Sequence, residues 1–102
     1  MTTNHKEEII EERLKAWLSG DPSGVRHAAL ELFLHQKDLS IQDIYDQLSD
    51  TFPVTYHAVG GMVGLVSSRI GVLEGVRDDK AHCRLYCLKE KHRSSVKKML
   101  TI

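Results

Sequence analysis

Only two cysteines occur in the 102 residues, Cys83 and Cys87. On an extended strand, positions four apart stand roughly 13 Å from each other, whereas a disulfide needs Cα atoms within about 7 Å. Both therefore read as reduced, semi-buried thiols, and the expected setting is the cytoplasm. Proline is equally scarce, at Pro22 and Pro53, and no low-complexity tract or long linker divides the chain. No run approaches the roughly 18 to 20 apolar residues of a membrane span. Residues 1–12 are polar and acidic apart from Ile9 and Ile10, unlike a secretory leader. Catalytic signatures are also missing. The chain has no Gly-x-Ser-x-Gly elbow, no glycine-rich phosphate loop closing in Lys-Ser or Lys-Thr, and no His-Glu-x-x-His helix. The expectation is one soluble, non-enzymatic domain over residues 1–102, with no cofactor and no membrane partner.

What is present is an uneven charge. The formal net charge is zero, yet residues 1–50 hold five basic against ten acidic side chains, and residues 51–102 hold nine basic against four acidic. Such a division can aim a basic face at a polyanion while the whole molecule stays neutral.

Capping signals and apolar periodicity set out the elements. Asn4 with Glu7 three residues later opens a helix over 4–19, and its acidic first turns suit the positive helix end. Ile10, Leu14 and Trp17 form its apolar stripe, and Ser19-Gly20 stop it. Asp21-Pro22 begins a second helix, to Leu34 or His35, with proline at the first helical position. Ser40 and Asp43 stand in capping-box relation, with Leu39 and Ile44 as a hydrophobic staple, so a short helix follows and ends near Asp50. Thr55 caps a fourth helix that runs to Ile70, with Val59, Val63, Val66 and Ile70 in one narrow arc. Gly71 ends it. Val72 to Arg77 and Ala81 to Leu88 read as two strands joined by a turn at Asp78-Asp79-Lys80, and Glu90 to Leu100 reads as a closing helix.

The fold expected is mainly α with a small β wing. A three-helix bundle and a two-stranded antiparallel hairpin occupy 22–88, flanked by the N-terminal helix over 4–19 and a C-terminal helix over 90–100. An isolated hairpin is marginal in water and must lie against the helices.

The stretch from Leu39 to Leu88 resembles the winged helix-turn-helix family, in the broad class of the ferric-uptake-type and multiple-antibiotic-resistance-type regulators. The matching features are Leu39-Ser40-Ile41-Gln42-Asp43-Ile44, Val54-Thr55-Tyr56-His57-Ala58-Val59, Arg69-Ile70-Gly71-Val72-Leu73 and the closing Arg84-Leu85-Tyr86-Cys87-Leu88. As a whole, the chain also resembles a small archaeal family of uncharacterised domains. The winged-helix resemblance implies double-stranded DNA as partner, with the helix from Thr55 to Ile70 in the major groove and the wing near the backbone. A homodimeric transcriptional regulator is the corresponding function.

The candidate DNA contacts are Tyr56, His57, Ser68, Arg69, Arg77, Lys80 and Arg84. The cations among them suit phosphate positioning rather than base reading, and the plain alternative for each is a solvated surface. If the valine stripe faces the core, His57, Gly61, Gly64 and Ser68 face away, and these are poor readers of base edges. Three glycines in that helix cost roughly 0.8 to 1 kcal/mol each against alanine. Close approach of a second backbone would offset that cost. The competing function is therefore a protein-interaction or dimerisation module, with Gly60, Gly61, Gly64 and Leu65 at the seam and Trp17 on the first helix. A metal site built from His82, Cys83, Cys87 and His92 is disfavoured, because strand alternation separates the ligands.

Overall fold

The computed structural model describes residues 5–78 and 83–101, with the backbone alone for His5, Lys6, Arg77, Asp78 and Cys83. Among the described residues, five α-helices and one antiparallel hairpin follow in the order α1 (His5–Ser19), α2 (Val25–His35), α3 (Ile41–Leu48), α4 (Tyr56–Leu65), β1 (Leu73–Asp78), β2 (Cys83–Leu88) and α5 (Arg93–Leu100). This order resembles a winged-helix-like layout. Asn4, the expected first cap, lies outside the described residues.

The second helix begins three residues later than its proline suggested. Pro22 and Ser23 form a turn, and Gly24 precedes the helix at φ 84°, in the left-handed region that favours glycine. Having no side chain, Gly24 cannot cap. Asp21 does so from further upstream, its two carboxylate oxygens accepting from the backbone N–H groups of Arg26 at 3.1 Å and His27 at 3.0 Å. The Arg26 guanidinium then donates to the Trp17 carbonyl at the end of α1, 2.7 Å away, and lies 5.3 Å from the Trp17 ring centroid.

Two helix starts follow from their caps. The Ser40 hydroxyl accepts from the Asp43 N–H while the Asp43 carboxylate accepts from the Ser40 N–H, each at 3.0 Å, completing the capping box of α3. Thr55 Oγ1 accepts from the Ala58 N–H at 3.1 Å to cap α4.

The fourth helix is not α-helical to Ile70, as its valine stripe suggested. Residues Val66–Ile70 form a π turn, in which the Gly71 N–H reaches the Val66 carbonyl, five residues back, at 2.9 Å. The Ser68 hydroxyl takes the Gly64 carbonyl at 2.7 Å, a side-chain bond that competes with the regular helical pattern. Gly71, at φ 87°, turns the chain out of the helix. Despite the altered register, Val59, Val63, Val66 and Ile70 all remain buried. Val59 and Val63 alone, at roughly 1.5 to 3 kcal/mol for each fully buried side chain, more than offset what the glycines of α4 cost in propensity.

The hairpin register pairs Leu73 with Leu88, Gly75 with Tyr86, and Arg77 with Arg84, ending at Asp78 with Cys83. Asp78 thus belongs to β1 rather than to the turn, while Asp79, Lys80, Ala81 and His82 lie outside the described residues. Val72 precedes β1 instead of opening it. Leu39 exchanges both backbone hydrogen bonds with Tyr86, at 2.9 and 2.8 Å. This bridge ties the α2–α3 connection to β2 and seats the hairpin on the helices. The closing helix is also shorter than expected. Glu90–His92 is a 3-10 turn, and α-helix begins only at Arg93.

One cluster forms the core, drawing Ile10 and Leu14 from α1, Leu30 and Phe33 from α2, Ile44 and Leu48 from α3, and Val96 and Met99 from α5. Leu73 and Leu88 close it from the hairpin.

Candidate functional site

Three elements meet around one cleft that the linear sequence hides. Ser40, Ile41 and Gln42 at the start of α3, Tyr56 at the start of α4, and Arg84 and Tyr86 of β2 line a cleft of about 220 Å³. Its parts are held by the caps and the bridge. The capping box fixes the first turn of α3, Thr55 fixes that of α4, and the Leu39–Tyr86 pair fixes β2 beside both.

Tyr56 is 51% exposed, and one edge of its ring is in contact with a second aromatic. Tyr45 meets it edge-on, with centroids 5.9 Å apart and planes at 67°. An exposed aromatic ring held at one edge is a ready platform for another flat group. Arg84 is exposed as well, and Gly75 determines how it lies. A Cβ placed on Gly75 would stand 3.1 Å from Arg84 Cδ and 3.6 Å from Cγ. The arginine stem therefore lies close over Gly75, and a Cβ there would require it to give by a few tenths of an ångström.

Of the residues expected to contact DNA, Tyr56 and Arg84 share this cleft. His57 is exposed on the first turn of α4 beside it. Ser68 and Arg69 sit at the far end of the same helix, roughly 18 Å away by helical rise. The Ser68 hydroxyl is already donated to Gly64, and the Arg69 carbonyl accepts from Arg13 Nη1 at 3.2 Å. Lys80 and the Arg77 side chain lie outside what is described.

The expected interface residues are distributed differently. Trp17 is half-buried beneath Arg26, and Leu65 packs partly into the core. A Cβ built on Gly61 or Gly64 would meet no atom within 4 Å, and one on Gly60 would touch only Ile41 Cγ2 at 4.0 Å. Among the described residues nothing requires glycine at these three positions.

Sequence reasoning passed over Gln42, Ser40, Ile41 and Tyr86 as site residues. Gln42 had a signal, being a long amide on the first turn of a capped helix. Tyr86 had none, because its place in the cleft depends on the bridge to Leu39.

A second polar cluster joins α1 to α5. His92, buried in the 3-10 turn, has Nδ1 2.8 Å from Glu7 Oε1. Ser95 Oγ donates to Glu7 Oε2 and lies 3.3 Å from Glu11 Oε2. Lys98 Nζ donates to Glu11 Oε1 at 3.1 Å. The Ser95 hydrogen bond, followed by those of His92 and the nearby positive charges, holds the Glu7 carboxyl below its ordinary range, against an opposing effect of burial. Serine and histidine both address the carboxylate here rather than each other, so this is a clasp and not a nucleophile–base pair.

Cys87 is separate from that clasp. Burial, followed by the Glu74 and Asp38 carboxylates, pushes its thiol up, and Sγ lies 3.7 Å from Glu74 Oε1. A thiol kept protonated is a poor nucleophile and metal ligand. Among the described residues no helix is long and apolar enough to cross a membrane.

A family model described as "Protein of unknown function (DUF2551)" matches residues 14–96. The chain belongs to this family. The matched span runs from Leu14 to Val96, both fully buried, and contains every residue lining the α3–α4–β2 cleft. No curated protein and no solved structure matches the chain.

Proposed function

We propose that this member of the family is a cytoplasmic winged-helix DNA-binding protein, a transcriptional regulator rather than an enzyme. Its hairpin contacts phosphates, and its base readout is limited. The observation that carries the reading is the cleft in which Tyr56 of α4 and Arg84 of β2 stand together. A recognition helix and a wing contribute to one nucleic-acid face only when the fold sets them side by side. The cationic second half of the chain supports the same reading, because phosphate contacts from Lys and Arg give affinity without sequence information. Limited readout follows from the outer face of α4 and the π turn after it, made of His57, Gly61, Gly64 and Ser68.

Fluorescence anisotropy with labelled duplex and single-stranded DNA across a salt series tests it. Binding at low salt that weakens steeply as salt rises is expected. No binding to either form at low salt would overturn the reading.

The empty space over Gly61 and Gly64 favours a second reading, a module that pairs with another copy of itself or another protein through α4. Gly61→Arg tests it in sedimentation analysis, where an assembly state unchanged by the substitution rules this face out.

A further inference from the structure

We propose that the cleft between α3, α4 and β2 holds one unstacked base of a single-stranded DNA segment, so that unpaired DNA is preferred over duplex; this rests on the DNA-binding reading above. Four observations converge on it.

The first is the aromatic platform. Tyr56 leaves half its surface to solvent while Tyr45 supports one edge of its ring, and Tyr86 lines the same cleft from β2. Stacking on aromatic rings is the general means of holding bases freed from a duplex, and it tolerates any sequence because every base has a flat face.

The second is size. About 220 Å³ falls below the ~300 Å³ at which larger ligand sites begin. One planar heterocycle suits it.

The third is the distribution of charge. Arg84 enters from the hairpin, its stem close over Gly75, while α3, which lines the cleft through Ile41 and Gln42, exposes Asp43 and Asp46 just outside that lining. Phosphates are drawn to the hairpin side and repelled from α3, which leaves the uncharged base to face α3. There Gln42 offers an amide, oriented by its 2.8 Å hydrogen bond from Nε2 to Asp46.

The fourth is what α4 lacks. A helix inserted in the major groove reads bases through Arg, Lys, Asn or Gln. The outer face of α4 offers glycine, one histidine, and a serine whose hydroxyl is turned back onto Gly64.

The test compares a labelled oligothymidylate with a duplex of equal length, using the full chain at low salt. The single strand is expected to bind at least ten-fold more tightly. Tyr56→Ala should weaken single-strand binding by about 5- to 160-fold, the range for loss of one stacked base, and should weaken duplex binding by less, so that the preference for the single strand narrows. Tyr56→Phe should keep wild-type affinity, because it keeps the ring. A readout on the unaltered protein accompanies these variants: an iodouracil-substituted oligonucleotide should photo-crosslink to Tyr56 or Tyr86. Duplex binding as tight as single-strand binding, or crosslinks only outside the cleft, overturns the inference and leaves the DNA-binding reading intact. Loss of binding to both forms by the wild-type protein overturns both.

Discussion

His92 and Glu7 are 85 positions apart in the chain, yet Nδ1 of the one lies 2.8 Å from Oε1 of the other. With Ser95 on the same carboxylate, this contact fastens the first helix to the last. The Glu7 carboxyl is more acidic in the folded protein than its ordinary value of 4.5. Below 4.5 the unfolded chain therefore takes up the proton first, and the stabilisation, complete above that pH, is lost as pH falls through the folded value. Glu7→Gln should lower stability by about 1 to 2 kcal/mol at neutral pH, allowing for a carboxylate still partly in water. It should also flatten the acid limb of a denaturation-against-pH curve. An acid limb identical in the variant and the wild type would show that the clasp contributes nothing to stability.

The glycines of this chain divide by backbone angle rather than by location. Gly71 sits at φ 87°, where a Cβ is strained, whereas Gly61 and Gly64 are helical with open space above them. Gly61→Ala and Gly64→Ala should each stabilise the monomer by about 0.8 to 1 kcal/mol, and Gly71→Ala should destabilise it by about 1 kcal/mol or more. Urea melts read both as midpoint shifts at constant slope. Destabilisation by alanine at Gly61 or Gly64 would mean that a second backbone packs there in solution.

Most of the architecture was legible because its signals are local. A capping box involves residues three apart, and a core stripe recurs within one turn. Ser40, Thr55 and the valines of α4 accordingly stand where the pattern put them. The misplaced boundaries came from side chains acting at slightly longer range. Asp21 caps α2 across a proline turn, and Ser68 disturbs the end of the fourth helix. The candidate cleft was only half legible. Tyr56 and Arg84 drew notice as an aromatic and a cation, but no local pattern joins Gln42 to Tyr86. Their meeting depends on the Leu39–Tyr86 bridge, which links positions 47 residues apart by backbone hydrogen bonds that any side chains would permit. The α1–α5 clasp was hidden for the same reason, since its partners lie at opposite ends of the chain.

Gly75 ties the hairpin to binding through Arg84. The hydrogen at Gly75 leaves room for the arginine stem to lie close, and a methyl group there would stand 3.1 Å from Cδ, so the stem would have to shift by a few tenths of an ångström. Strands generally gain from losing a glycine, and β1 is exposed at this point. Gly75→Ala should therefore leave the melting temperature unchanged or slightly raised while weakening DNA binding several-fold. If the loss arises from displacing Arg84, it should vanish in an Arg84→Gln background, where the contact no longer matters. A double-mutant cycle on DNA affinity isolates that coupling. Equal losses from Gly75→Ala in both backgrounds would show that the glycine acts on binding by some route other than the arginine laid across it.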